Sequence, residues 1–316
     1  MYYKLVHWIN IDNFNIDWSY LSFNPNAIDF LKENPQYINW RYLNSNPNAL
    51  DFLLKNPDKI YLQELCGNKN KEILKRILLP NLNKLTEIEW GILSMNSSAG
   101  FILKNHLDKI NFDCLCSNNC NEAVDILFNN KKKIKYAILS ENDNDRIVNY
   151  LIKNSSKISW SYFSKNSNDM AIAYMELNPN KIDWKSFSQN LNPKAINLMR
   201  ENKHKLTWYY LASNPNDDII DFYFENRSRF IDIQSLCKNT NPYVIDLLEA
   251  NKDRLTRLDY QILTWNPSIF NLDYDKISEN FQALKEEIIK EVMHPRRVCK
   301  YLEHDGYDYI EEMFGD

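Results

Sequence analysis

The sequence predicts an all-α fold, an α-solenoid of about eleven stacked short helix pairs with a 22–25 residue period and an atypical helical C-terminal cap. Three observations lead there. The segment Asp17-Trp18-Ser19-Tyr20-Leu21-Ser22-Phe23-Asn24-Pro25-Asn26-Ala27-Ile28 returns 22 residues later as Asn39-Trp40-Arg41-Tyr42-Leu43-Asn44-Ser45-Asn46-Pro47-Asn48-Ala49-Leu50. Six of the eight tryptophans fall on one repeat position, and nine of the eleven prolines follow an asparagine. Glycine is scarce, at 5 of 316 residues, which disfavours both phosphate-binding loops and tight hairpins. A fixed period of this length signals a repeat architecture, because one unit cannot bury its own apolar stripe and stacked units can.

The elements follow in chain order. Residues 1–13 are expected to form an N-terminal cap, residues 14–272 the repeats and residues 273–316 a C-terminal helical cap. In the first unit, a short helix starting at Trp18 sets Trp18 and Leu21 one turn apart on the same face. The residue after each unit's first apolar mark is Asp17, Asn39, Asn111, Ser159, Asp183, Thr207, Asp232 or Thr256 in eight units, side chains that accept from an orphan N–H at a helix start. Asn24-Pro25 then opens a second helix, with proline at a position where a missing N–H costs nothing. Its apolar stripe is Ala27, Ile28 and Leu31, matched by Ala49, Leu50 and Leu53, by Ala171, Ile172 and Met175, and by Ala195, Ile196 and Met199. Pro35, Pro57 and Pro179 stop that helix, since proline biases the residue before it away from helical dihedrals. The apolar mark then recurs at Ile60, Ile88, Ile110, Ile134, Ile158, Ile182, Leu206 and Ile231, with one interval of 28 residues around Leu79 to Leu85. Lys69, Ser97 and Ser167 stand where the opening proline is expected. After the repeats, Glu279 to Val292 reads as a longer amphipathic helix. A second helix restarts at Pro295, Gly306 breaks it, and an acidic-aromatic end follows.

The unit W-x-x-L-S-x-N-P-N-A-I-x-x-L-x-x-N-P-x-x-I-x-W resembles the Asn-Pro/Trp short-helix repeat proteins encoded by giant DNA viruses of amoebae and other protists. Residues 16–60 carry the likeness best, through Trp18, Leu21, Asn24, Pro25, Ala27, Ile28, Leu31, Asn34, Pro35 and Trp40, and it continues more weakly to Trp208, Asn214 and Pro215. The segment Met293-His294-Pro295-Arg296-Arg297-Val298-Cys299-Lys300-Tyr301-Leu302 resembles the ending common in such proteins. The resemblance implies an uncharacterised viral protein acting inside the infected host, in cytoplasm or viral factory or in the virion. It transfers no catalytic residues.

Composition narrows the function classes. A 44% apolar and 13% aromatic chain is too apolar for intrinsic disorder, and a net charge of −4 excludes a globally basic nucleic-acid binder. No run is long enough to span a bilayer, and the N-terminus lacks the basic and apolar segments of a signal peptide, so an intracellular protein with no membrane contact is expected. The 44 asparagines, with abundant lysine and isoleucine, read as the composition of an AT-rich genome.

No metal, cofactor or catalytic set is expected. Cys114, Cys116 and Cys120 form a single cluster where structural zinc wants two, and Cys66, Cys116 and Cys237 fall at the repeat position of Ser22. The histidines His7, His106, His204, His294 and His304 are scattered along a stack that keeps distant units apart. The chain is therefore read as a non-enzymatic protein–protein interaction scaffold, either virion-associated or a host-directed adaptor, and the atypical tail favours a capped monomer. The position after the aromatic varies from unit to unit, and Arg41, Lys185 and Tyr209 are the candidate partner contacts, while Tyr20, Tyr42, Tyr162 and Tyr210 at the next position are read as frame. The alternative is a nucleic-acid-binding protein using the lysine-rich inter-helix turn, with Lys131, Lys132, Lys133 and Lys135 as phosphate contacts. Other basic runs, such as Arg227 with Arg229 and Arg296-Arg297, are short and read as not repeating in register.

Overall fold

The computed structural model describes residues 2–9, 18–227 and 232–292. They fall in two compact units, Leu5–Phe270 and a smaller one of Met1–Lys4 with Asn271–Asp316. The fold is all-α in character, built from repeated short helix pairs. In Leu5–Phe270 the first helix of each repeat is short, as in Trp40–Leu43, Phe112–Leu115, Trp160–Phe163 and Trp184–Phe187. The second is somewhat longer, as in Asn121–Asn129, Asp145–Lys153 and Asp169–Glu176. Among the described residues there are eleven such first helices but only ten second helices. After Arg257–Leu263 the turn Pro267–Ile269 leads into an extended strand, so the eleventh first helix is followed by a strand and not by a second helix.

Local chemistry explains each boundary. Asn39, Asn111 and Asp183 accept from the N–H three residues on, capping the first helix as their residue types predict. Asp17, the equivalent residue in the first unit, lies outside the described residues. Pro25 opens a 3₁₀ turn, Pro25–Ala27, which runs into the helix Ile28–Glu33. Pro35, Pro57 and Pro179 end one helix and begin another 3₁₀ turn, because the preceding Asn34, Asn56 and Asn178 are held at φ near −130° outside the helical region. Each of these asparagines also donates back to the carbonyl four residues earlier, satisfying an orphan acceptor at the helix end. The 28-residue interval has its own cause. Lys71–Ile73 continues through a π turn, Leu74–Leu78, into a 3₁₀ segment, Leu79–Lys84.

The apolar core is one residue column per helix, repeated. Leu31, Leu43, Leu53, Leu65, Leu93 and Leu115 are at most 1% exposed, and the alanines Ala27, Ala49, Ala99, Ala123, Ala171 and Ala195 are fully buried. Each buried leucine contributes about 2 kcal/mol of transfer free energy. The aromatic of the first helix rests on an aromatic of its own second helix: Trp40 on Phe52, Trp160 on Tyr174 and Trp208 on Phe222, with centroids 6.4, 6.0 and 5.5 Å apart.

Between units the joint is asparagine. Asn24, Asn46, Asn68, Asn96, Asn118, Asn142, Asn166, Asn190, Asn214, Asn239 and Asn266 are 0–4% exposed. Each sends its Nδ2 to the main-chain carbonyl of the preceding asparagine and, in every case but Asn214, also to the carbonyl two residues before that one. The donor–acceptor distances are 2.6–3.2 Å. Asn24 belongs to the first unit, and its Nδ2 donates to Thr264 and Asn266 in the last, so the circuit of eleven asparagines is closed. The exception is Asn214, whose Nδ2 donates to the Asn190 carbonyl alone, at 2.9 Å. Tyr20 packs on Trp265 at the same junction, with centroids 4.2 Å apart. Eleven of the 44 asparagines thus have one and the same structural role.

A second bond from the same motif reinforces the first. Asn26, Asn48, Asn168 and Asn192 each donate to a carbonyl one unit back, while their own N–H groups are held by Oδ1 of the ladder asparagine two residues before. The serine position makes a third link. Oγ of Ser22, Ser94, Ser140, Ser164 and Ser188 accepts from the N–H of Asn39, Asn111, Ser159, Asp183 and Thr207. Where the ninth unit has Ala212 there, the hydroxyl of Tyr223 takes the N–H of Asp232 instead, at 3.0 Å.

Strand β1 (Tyr3–Leu5) pairs with β2 (Phe270–Leu272), which the helical period does not announce. Val6 N–H donates to Ile269, and Asp273 N–H to Tyr2, both at 2.9 Å, an antiparallel pattern. In the smaller unit a helix spans Tyr274–Val292, beginning five residues before the predicted Glu279 because Asp273 accepts from Lys276 N–H and caps it. The remaining tail, with His294, Arg296, Arg297, the Gly306 break and His304, lies outside the described residues, as do residues 10–17 and 228–231 with Arg229 and Ile231.

Candidate interaction surface

Arg41, Lys185 and Tyr209 project from the first helices of the second, eighth and ninth units, and all three are exposed. They do not form one patch. Arg41 is spent on an ion pair with Glu64 of the next unit. Tyr209 accepts a hydrogen bond from Lys238 Nζ at 2.8 Å, and that ammonium also lies 5.4 Å from the ring centroid. Of the repeated tyrosines, Tyr20 and Tyr42 meet edge to face at 5.6 Å, whereas Tyr162 is 40% exposed.

The cysteines at the serine position are frame. Cys66, Cys116 and Cys237 are buried, and Cys116 Sγ accepts from Lys135 N–H as Ser22 Oγ does from Asn39. Burial pushes the Cys66 and Cys237 thiols up to about 12, with carboxylates Glu89 and Asp259 adding to it. A thiol held protonated in this way is a poor nucleophile and a poor metal ligand. Among the described residues no three His, Cys, Asp or Glu side chains gather in a metal-holding group. His106 sits on Trp90 with Nδ1 at 2.9 Å from the Ile102 carbonyl, in the wall of an open groove of about 1240 Å³ formed where the 28-residue interval widens the spacing. None of the described helices is long and apolar enough to cross a membrane.

Lys131, Lys132 and Lys133 make up the 3₁₀ turn between the helices Asn121–Asn129 and Tyr136–Leu139, and all three are exposed. Lys133 Nζ stands 4.1 Å above the centroid of Phe112, and Lys135 is 4.0 Å from Asp113. That turn is not alone. The residue before the apolar mark is Lys59, Lys109, Lys133, Lys157, Lys181 or Lys205 in six units, and Lys84 and Arg254 stand likewise before Leu85 and Leu255, so the reading that basic residues do not repeat in register is corrected. The signal was in the sequence, one position upstream of most Ile or Leu marks, but single residues at a pitch of 24 or 25 do not stand out as runs of charge.

In the middle of the chain these lysines share one geometry. Lys133 lies over Phe112, Lys157 over Tyr136, Lys181 over Trp160 and Lys205 over Trp184, at 4.1, 4.7, 5.5 and 4.8 Å from the ring centroids. In each case the ring is the first-helix aromatic of the unit before, 21 residues back. Lys157 is the most tightly held, donating to the hydroxyls of Tyr136 and Tyr150 at 3.0 and 2.9 Å. Those hydrogen bonds hold the Lys157 ammonium above the usual lysine range and pull the Tyr150 phenol down.

No protein-family model matches the chain, and no curated protein and no solved structure is significantly similar to it.

Proposed function

We propose that the chain is a non-enzymatic protein–protein interaction scaffold, built as eleven layers of a closed stack. One observation carries this reading. Every inter-unit joint uses the same buried asparagine, while the position after the aromatic differs from layer to layer, exposed as Arg41, Asp113, Lys185 and Tyr209 and buried as Gly91. An invariant frame with a variable exposed column is how repeat proteins present recognition surfaces. On the same reading, residues 14–272 are the scaffold, residues 1–13 and 273–316 are accessory segments, and the working form is a monomer. The resemblance to giant-virus repeat proteins supports a role in an infected cell, as a virion or assembly component or as an adaptor to a host complex.

The experiment is affinity capture of the tagged protein from infected host cells, with and without nuclease. Stoichiometric recovery of capsid or host proteins supports the scaffold. Association that disappears with nuclease overturns it in favour of nucleic acid. That second reading is favoured by the lysines in register, Lys131–Lys133 among them, but the aromatic faces a single strand would stack on are already covered by ammonium groups.

A further inference from the structure

The lysines in register mark a surface with a definite partner chemistry. Four consecutive inter-unit turns, residues 129–135, 153–159, 177–183 and 201–207, hold nine lysines and only two carboxylates, Asp183 and Glu201. Asp183 is occupied as a helix cap on Ser186 N–H. On the N-terminal side, by contrast, Lys109 and, two turns earlier, Lys59 are paired with their neighbours Asp108 and Asp58 at 3.4 and 3.2 Å, and Lys84 between them stands alone in its turn and donates to Asn81. The lysines are therefore densest in the layers between Phe112 and Lys205.

We propose that Lys133, Lys157, Lys181 and Lys205 form a docking stripe for an extended acidic polypeptide segment, one carboxylate-binding ammonium per layer. Each ammonium rests on a ring of the preceding unit, so much of the rotamer freedom a lysine loses on binding, about 2 kcal/mol, is already given up. Packed helices stand roughly 8–10 Å apart, so four layers span about 27 Å, the reach of about eight extended residues. Lys157 keeps one N–H free beyond its two tyrosine partners. A single-stranded nucleic acid gains little here beyond charge, since the rings beneath the lysines are not open to bases. A chain with a net charge of −4 also repels a long polyanion more than it repels a short acidic segment that meets only the stripe.

This inference rests on the scaffold reading only for the biological partner; the stripe itself is tested on the purified full chain. Fluorescence anisotropy is read with a labelled oligoglutamate peptide and, separately, a labelled oligouridylate. Oligoglutamate is expected to bind in a salt-dependent way and more tightly than oligouridylate. Replacing the four lysines with glutamine should weaken it about tenfold or more, while replacing them with arginine should preserve it. If the fourfold glutamine variant does not fold, the pair Lys133→Gln and Lys181→Gln serves, with a loss of about threefold expected. Tighter binding of oligouridylate, no oligoglutamate binding at low salt, or undiminished binding by the glutamine variants would overturn the proposal. Any of these with partner capture intact would leave the scaffold reading standing; peptide binding without any captured protein would do the reverse.

Discussion

The Nδ2 of Asn24 donates to the main-chain carbonyl of Asn266 at 3.0 Å, across 242 positions of sequence. Asn46 makes the same bond to Asn24 at 2.8 Å across 22 positions. The two contacts are chemically identical, so the first and last units meet as any two neighbours do. A stack whose ends meet leaves no open apolar end layer at that junction, the feature that ordinarily makes repeat arrays need caps.

Within the circuit, Asn166 is a representative test. It donates to Ser140 and Asn142 away from water and accepts from the half-buried Asn168 N–H. Asn166→Ala should destabilise the protein by about 3 kcal/mol in denaturant titration, since two acceptors and one donor lose partners. Asn168→Ala, in the outer ladder, should cost about 1 kcal/mol. Asn166→Asp tests the donor directly. A carboxylate has no N–H for the two carbonyls, so its folded pKa rises above the unfolded value of about 3.9. Its stability should therefore be highest below about pH 4 and fall as pH rises, relative to the alanine variant.

The ninth unit offers a rescue experiment. Tyr223→Phe removes the hydroxyl that takes Asp232 N–H in place of the missing serine. A loss of about 1–2 kcal/mol is expected by thermal or chemical melting. Adding Ala212→Ser should restore most of it, because serine at that position takes this N–H in other units. No recovery would show that the tyrosine acts through packing alone.

The buried thiols predict an alkaline effect. Cys66 and Cys237 ionise near 9.0 when exposed and near 12 when buried. The folded state therefore holds these protons longer than the unfolded one, so stability is full below about pH 9 and is lost as pH rises towards 12. Cys66→Ser with Cys237→Ser should flatten that decline in urea melts between these limits, while changing stability at neutral pH by about 1 kcal/mol or less. An unchanged slope would contradict the assignment.

Much of this frame was legible in the residues. The Trp40 helix, its Asn39 cap, the proline turns and the buried Ala–Leu stripe follow from local rules that need no neighbour. The ladder was hidden because one side chain does two jobs. Asn24 Oδ1 caps Asn26 N–H, as a local reading expects, and the same carboxamide's Nδ2 reaches the next unit, which no local pattern reports. Closure was hidden for another reason. It is the sum of small rotations between units, and the period that fixes a unit's length says nothing of the angle between units. Of the candidate contacts, the Lys131–Lys133 turn proved one part of a longer stripe, and Arg41 proved paired within the fold.

The closed circuit is tested most directly by comparing Asn24→Ala with Asn166→Ala in equilibrium unfolding. If the first and last units are joined, Asn24 is an interior residue like Asn166, and both variants should lose about 3 kcal/mol. If the ends were apart, the Asn24 carboxamide would face water and its removal would cost close to nothing, which would contradict closure.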